Sequence, residues 1–329
     1  MRRKVLAVAS IGGHWVQLLR IVRPLEEHYE MLYMCTHPKC ATIVEGKKYY
    51  LATDFSRSDA WKMIPALFRQ LKYIWKEKPD AIITTGAGPG LICVFAGWLL
   101  RRKTIWIDSI ANVNHLSLSG RIAALFVSRV YTQWQHLATD KIHYAGDIFG
   151  EAPQPPEGGV EPHSETAPPL GGGGGLFVTI GTQLPFDRLI EMLDRIAPEL
   201  DEEIYAQILK GKYKPKYIKT LDFIEPDAFE DVFVQARLIV AHAGMGTILS
   251  ALLRSKPLII FPRIAALGEH RNEHQSATAQ MIKEKNYAYV ATNEEELREL
   301  LHKDLRPLKT IGEFASESLI KSLEDFIDS

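Results

Sequence analysis

Leu238-Ile-Val-Ala-His-Ala-Gly-Met-Gly246 passes from a solid apolar stretch into a pair of glycines, and Thr247 then opens an apolar helical pattern. A buried strand, a tight glycine turn and a helix N-terminus in that order commit a chain to a layered α/β architecture. They also leave several backbone N–H groups free to hold an anion such as a diphosphate. The same order occurs near the start of the chain. Lys4–Ser10 reads as a strand, Gly12-Gly13-His14 as the turn, and Trp15 to Leu25 as an amphipathic helix. Between the two units, residues 150–175 hold six prolines and end in five consecutive glycines, a composition that cannot build a packed core. The expected layout is a first domain over 1–149, a linker over 150–175 and a second domain over 176–329.

Each half alternates strand and helix patterns. Met31–Cys35, Ala81–Thr85 and Thr104–Asp108 are short apolar runs, separated by helical patterns near 15–26, 60–77, 90–101 and 120–130. The second half restarts with a strand at Leu176–Ile180 and a helix at Phe186–Ala197. Strands near 204–208, 218–224, 238–242 and 258–261 follow, with a closing helix near 311–327. Such alternation predicts two doubly wound, Rossmann-like parallel sheets, whose ligands bind at the carboxyl ends of the strands, with the two clefts facing each other.

Composition narrows the function. Cys35, Cys40 and Cys93 are too few and too unevenly spaced for a disulfide framework, which predicts a reduced, cytoplasmic setting. Met1-Arg-Arg-Lys starts like a signal peptide, but the apolar run behind it is short and breaks at Gly12-Gly13, so a core strand is expected instead. No stretch reaches the roughly 18 apolar residues of a spanning helix, so a soluble or peripheral protein is expected. Residues 1–150 carry 20 Lys/Arg against 11 Asp/Glu, while 151–329 carry 19 against 29, so a net charge of −1 hides a +9 half beside a −10 half. The basic half is expected to meet an anionic membrane surface. Residues 60–77 suit that role through Lys62, Arg69, Lys72 and Lys76 beside Trp61, Tyr73 and Trp75, although the stripe Ile64, Leu67, Phe68, Leu71, Ile74 and Trp75 also reads as core.

The candidate chemistry sits in the turns. His14 at a helix N-terminus is disfavoured as an imidazolium and so is kept able to accept a proton; Asp108, ending a strand, is the second candidate base or the group that orients His14. Gly12, Gly13, Gly86 and Gly88 let backbone approach an acceptor phosphate. In the second half Gly181, Thr182 and Gln183 offer a further turn, and His242, Gly244, Met245, Gly246 and Thr247 form the diphosphate turn. Arg263, Glu269, His270, Arg271, Asn272 and Gln275 form a polar run able to hold a sugar, with the arginines suited to an anionic substituent. His270 and His274 stand four apart, but no third ligand is evident, so no metal is expected, nor any cofactor or nucleic acid.

These motifs together resemble a known family. Gly-Gly-His14, Thr84-Thr-Gly-Ala-Gly-Pro-Gly90, Asp108-Ser109 and Leu116-Ser-Leu-Ser-Gly-Arg121 leading to Gln133-Trp134 resemble the membrane-recruiting subunit of the two-subunit UDP-GlcNAc transferase of dolichol-linked oligosaccharide synthesis. Phe177-Val-Thr-Ile-Gly-Thr-Gln-Leu-Pro-Phe-Asp-Arg188 and His242-Ala-Gly-Met-Gly-Thr247 resemble its donor-binding subunit. The chain is similar to a fusion of the two, as in PssD-like and PssE-like proteins of bacterial exopolysaccharide synthesis. The resemblance implies a MurG-related, inverting GT-B hexosyltransferase of family 28, independent of a bound metal and peripheral on the inner face of the plasma membrane. A UDP-sugar donor would bind the second domain, with Gly244, Gly246 and Thr247 at its phosphates, and a polyprenyl-diphosphate-linked sugar would bind the first. Ser250 stands where many relatives place a ribose-binding Glu, a departure that leans away from GlcNAc donors. With Arg263 and Arg271 it favours glucuronate, transferred to lipid-linked glucose. UDP-GlcNAc and UDP-galactose are the alternative donors; a UDP-GlcNAc 2-epimerase-like enzyme and a non-catalytic nucleotide-sugar-binding scaffold are more remote.

Overall fold

The computed structural model describes residues 2–54, 61–150, 174–181, 184–221, 226–269 and 274–329. The chain divides into two compact units, Met1–Glu151 with Gly312–Ser329, and Ala152–Ile311.

The first unit contains strands β1 (Lys4–Ala9), β2 (Glu30–Cys35), β3 (Lys48–Leu51), β4 (Ala81–Thr84), β5 (Lys103–Ile107), β6 (Arg129–Thr132) and β7 (Ile142–Tyr144). They form one parallel sheet in the order β3-β2-β1-β4-β5-β6-β7. The connecting helices are α1 (Gly13–Val22), α2 (Cys40–Ile43), α3 (Met63–Glu77), α4 (Ala87–Leu99) and α5 (Leu118–Ala123). The central strands are apolar throughout because a parallel sheet is covered on both faces; Leu6, Val8, Leu32, Met34, Ile82 and Trp106 are buried in one cluster.

The second unit repeats the plan with β8 (Leu176–Thr179), β9 (Ile204–Gln207), β10 (Lys219–Leu221), β11 (Leu238–Ala241), β12 (Leu258–Ile260) and β13 (Tyr289–Val290). Their order is β10-β9-β8-β11-β12-β13, again parallel. Its helices are α6 (Asp187–Ile196), α7 (Pro226–Gln235), α8 (Met245–Leu253), α9 (His274–Glu284) and α10 (Glu294–Leu301). Val178, Leu189, Leu193, Val240, Ile259 and Phe261 belong to its core. The two doubly wound sheets are those the alternation predicted.

Three features differ from the sequence expectation. The helix expected near 120–130 stops at Ala123, and 129–132 is instead β6, because Val130, Tyr131 and Thr132 are strand-favouring residues that extend the ladder beside β5. β3, β7 and β13 were not foreseen. All three are edge strands with half-buried or exposed faces (Lys48-Tyr-Tyr-Leu51, Ile142-His-Tyr144, Tyr289-Val290), so none carries a continuous apolar run. The closing helix α11 (Glu317–Asp328), expected to end the second domain, packs with the first unit. Leu319, Leu323 and Ile327, spaced by four, are fully buried on it. The Tyr131 hydroxyl lies 2.9 Å from Ser322 Oγ, and Lys103 Nζ donates to the Phe326 and Ile327 carbonyls at 3.1 and 3.2 Å.

Buried Arg20 on α1 gathers the two places where the chain passes between units. Its guanidinium donates to the carbonyls of Ile148 (2.8 Å) and Phe149 (3.1 Å) on the way out. On the way back it donates to those of Gly312 (2.7 Å), Glu313 (2.9 Å) and Phe314 (3.0 Å). Burial lowers its pKa to about 10, against the pull of Asp147 and Glu313, so it remains charged. Among the described residues no helix is long and apolar enough to cross a membrane. The expected linker lies almost wholly outside them.

Candidate functional site

In the first sheet the winding reverses between β1 and β4, and the loops leaving two such strands part to open a crevice at their carboxyl ends. Both loops here are glycine turns. After β1, Gly12 at φ 93° turns the chain into α1 and caps it without a side chain, and the Val16 N–H is the first to bond back, to the Gly12 carbonyl. After β4, Gly86 at φ 120° opens α4, with Ala87 beside it also at a positive φ of 64°. Ala87 has no such freedom, so its conformation is a strain stored in this turn.

His14 joins the two turns. Its Nδ1 lies 2.8 Å from the Thr85 carbonyl, and Thr85 Oγ1 donates to the His14 carbonyl at 2.8 Å. A carbonyl oxygen only accepts, so Nδ1 carries the proton and Nε2 of the neutral ring keeps its lone pair. A Cβ on Gly86 would stand 3.2 Å from His14 Cε1, so the missing side chain makes room for the ring. Burial pushes the His14 pKa below its ordinary value, while the Thr85 bond and the charge of Asp108 partly oppose that shift. The outcome is a half-buried imidazole of defined tautomer with a basic nitrogen. Gly13 and Gly88 are half-buried in the same turns. Gly90, further along α4, is needed for packing, since a Cβ there would reach within 2.1 Å of Thr84 Oγ1.

Asp108 is held differently from a base. Its Oδ1 accepts from Trp106 Nε1 (3.0 Å) and Ser117 Oγ (2.6 Å), and its Oδ2 from Asn112 Nδ2 (3.0 Å) and the Ser117 N–H (2.9 Å). Four donors on a buried carboxylate fix the loop into α5 and leave little capacity for a proton from substrate. Gly120 belongs to this arrangement, because a Cβ there would come within 2.6 Å of Asp108 Oδ1. Behind it, Gln17 on α1 donates to Ser109 Oγ (3.0 Å) and accepts from the Ile110 N–H (3.1 Å) and Gln133 Nε2 (3.2 Å), so α1 is locked to the loop after β5.

The second sheet reverses between β8 and β11, and its glycine turns again leave those strands. His242 is packed between Gly181, at φ 79°, and Gly244; a Cβ on either would lie 2.6 and 2.2 Å from its ring. Gly244 caps α8 without a side chain, and the Ile248 N–H is the first to bond back, to the Gly244 carbonyl. The N–H groups of Met245, Gly246 and Thr247 therefore form an uncapped first turn, suited to an anion. The Met245 side chain is buried in the core, so it offers only its backbone.

Arg263 corrects an expectation. Its side chain is buried, and its Nη groups donate to the carbonyls of Ile180 (2.7 Å), Leu184 (2.6 Å), Pro185 (2.7 Å) and Glu269 (3.1 Å). Burial lowers its pKa to about 10, with Glu269 opposing. These bonds consume the four Nη hydrogens, so Arg263 shapes the loop after β8 and does not grip a sugar carboxylate. Glu269 is likewise engaged, accepting from Arg188 at 2.7 and 2.9 Å and from the Ile264 N–H at 2.8 Å. Gln275 accepts from the Arg263 N–H at 3.1 Å. Thr182, Gln183, His270, Arg271 and Asn272 lie outside the described residues. Among the described residues no group of three or more His, Cys, Asp or Glu side chains is placed to hold a metal.

Sequence reasoning missed Thr85, Arg188, Ser117 and Gly120. All four lay inside motifs it noticed, but the partners of Thr85 and Arg188, 71 and 81 residues away, are set only by the fold.

Residues 53–148 match the model of Alg14-like oligosaccharide biosynthesis proteins, and residues 176–329 match the glycosyltransferase family 28 C-terminal domain. The chain is 23% identical over 334 residues to the UDP-N-acetylglucosamine–N-acetylmuramyl-(pentapeptide) pyrophosphoryl-undecaprenol N-acetylglucosamine transferase of Geobacillus thermodenitrificans, covering 92% of this chain and 89% of that protein. It is 36% identical over 74 residues to the UDP-N-acetylglucosamine transferase subunit ALG14 of Yarrowia lipolytica, over 21% of this chain and 34% of that protein. Its fold is similar to Acinetobacter baumannii MurG (TM-score 0.58, 16% identity, 99% of each chain). It is also similar to the UDP-GlcNAc 2-epimerase of Methanocaldococcus jannaschii (TM-score 0.62, 13% identity, 99% of this chain and 100% of that one). The chain thus joins an Alg14-like segment and a glycosyltransferase family 28 C-terminal domain in one polypeptide, on a GT-B fold similar to that of MurG.

Proposed function

We propose that this protein moves a sugar from a UDP-sugar to a hydroxyl of a polyprenyl-diphosphate-linked sugar, with inversion at the anomeric carbon. The observation that carries the reading is the His14–Thr85 pair, which presents a neutral Nε2 at a topological switch point. As the acceptor oxygen bonds to the anomeric carbon, its proton passes to Nε2. The bond from that carbon to the β-phosphate oxygen breaks, and its electrons leave with UDP. The uncapped turn Met245–Thr247 supplies N–H dipoles for the departing diphosphate.

For the donor, the relatives matched over most of the chain are named for N-acetylglucosamine, and that sugar is the first donor we infer. Glucuronate passed to lipid-linked glucose, as in exopolysaccharide or capsule synthesis, is the second. Ser250 and Arg271 favour it, although it no longer has Arg263. An inner-face peripheral location fits α3, whose outward stripe is apolar: Ile64, Phe68 and Trp75, with Trp61 just before the helix, are each about two-thirds exposed, while Gln70 and Glu77 face inward.

A panel of UDP-sugars tested with glucosyl- and N-acetylhexosaminyl-diphosphoundecaprenol, followed by UDP release, tests the reading. Release that requires the lipid-linked acceptor is expected. Acceptor-independent epimerisation of UDP-GlcNAc, or binding without turnover, would reject it.

A further inference from the structure

Between Leu209 and Leu221 stand five lysines and no carboxylate, in a half of the chain whose net charge is −10. This segment leaves β9 and leads into β10. Its exposure alternates: Lys210, Lys212, Lys214 and Lys216 are exposed, and Gly211, Tyr213 and Pro215 between them are half-buried. That alternation turns four lysine side chains outward from a bent connecting segment.

Two aspartates on α6 hold the backbone that presents them. Asp187 accepts from the Lys212 N–H at 3.0 Å, and a Cβ on Gly211 would come within 2.3 Å of its Oδ1. Asp194 accepts from the N–H groups of Lys216 (2.9 Å) and Tyr217 (2.7 Å) and from the Tyr213 hydroxyl (2.8 Å). Burial opposes ionisation of Asp194, but these donors outweigh it and hold the carboxyl below its ordinary pKa. Lys219 is paired with Glu203 at 2.6 Å and stands apart from the row. Among the described residues no carboxylate pairs with Lys210, Lys212 or Lys214.

We propose that this row docks on the headgroups of an anionic phospholipid bilayer, giving the second unit a membrane contact of its own. The inference rests on the membrane-linked acceptor of the proposed function. Four ammonium groups spread over seven residues are more than one diphosphate engages and suit a surface of separate charges. Tyr217 and Leu221, exposed at 55% and 48%, flank the row with an interfacial aromatic and an apolar side chain. The rest of this half is acidic on balance, so the row offers a negative surface a locally favourable approach.

The full chain carrying K210Q, K212Q, K214Q and K216Q is compared with wild type by sedimentation on neutral phosphatidylcholine vesicles and on vesicles containing phosphatidylglycerol. Affinity for the anionic vesicles falls by about fivefold for each lysine removed. The matching Lys→Arg variant retains binding, and turnover with a water-soluble short-chain polyprenyl-diphosphate acceptor is unchanged. Wild-type binding by the Gln variant overturns the proposal. So does an equal loss of turnover on the soluble acceptor, which would place the lysines on the acceptor's own diphosphate. If wild type binds the vesicles through this row but transfers no sugar to either acceptor, the proposed function fails while the docking surface stands.

Discussion

In the proposed reaction Thr85 readies His14 to act as a base, because its carbonyl fixes the ring's proton on Nδ1 and leaves Nε2 open. His14→Ala should lower turnover by about 10²–10⁴ with the fold intact, whereas Asp108→Asn should act mainly on stability, since Asp108 serves four donors. Steady-state rates and thermal melts of the two variants separate these outcomes. The pH sign follows from the depressed pKa. The working form is the neutral ring, and burial keeps it neutral as pH falls, so the acid limb of kcat should lie below the ordinary 6.5 and disappear in His14→Ala. A limb above that value would contradict the assignment. Arg263→Ala should cost at least about 3 kcal/mol, because it strips donors from four carbonyls, and should leave the ranking of donor sugars unchanged. Denaturant midpoints and a donor panel read both; normal stability with an altered donor ranking would return Arg263 to the sugar. The turns that carry His14 and Gly244 were legible because glycine after an apolar run has few other uses. The inward aim of Arg263 was not, since a sequence records a guanidinium but not the side of the loop it faces.

Helix α3 shows the same limit over a whole element. Its periodicity located it, yet of the stripe Ile64, Leu67, Phe68, Leu71, Ile74 and Trp75 only Ile74 is fully buried. Polar Gln70 and Glu77 turn inward, where Glu77 accepts from the Tyr50 hydroxyl (2.5 Å) and from Lys48 Nζ (2.9 Å). Those partners come from β3, an edge strand the sequence did not announce, so the inward face could not be chosen correctly without it. An exposed apolar stripe on a monomer marks an interaction surface. Replacing Ile64, Phe68 and Trp75 together by Ser should weaken vesicle binding at least tenfold without lowering the melting temperature, because these side chains lose no core packing. A large drop in melting temperature would mean that the stripe is packed after all.

Across the whole molecule, the doubly wound sheets were readable because parallel strands buried on both faces appear as unbroken apolar runs. The destination of α11 was not, since amphipathicity says that a helix packs and not against which neighbour. That destination has a consequence for any attempt to halve the protein. A fragment ending near residue 150 would lack α11, which packs on it through Leu319, Leu323 and Ile327, and Arg20 would lose the Gly312, Glu313 and Phe314 carbonyls. Cut at its Pro/Gly segment, the polypeptide should therefore behave as a split protein whose second piece carries its own tether. Residues 1–150 and 174–329 made as separate chains should co-purify, whereas 1–150 with 174–311 should not, as a tagged pull-down would measure. The last eighteen residues thus act as a strap that one half lends to the other, and two independent subunits could be held together by the same strap.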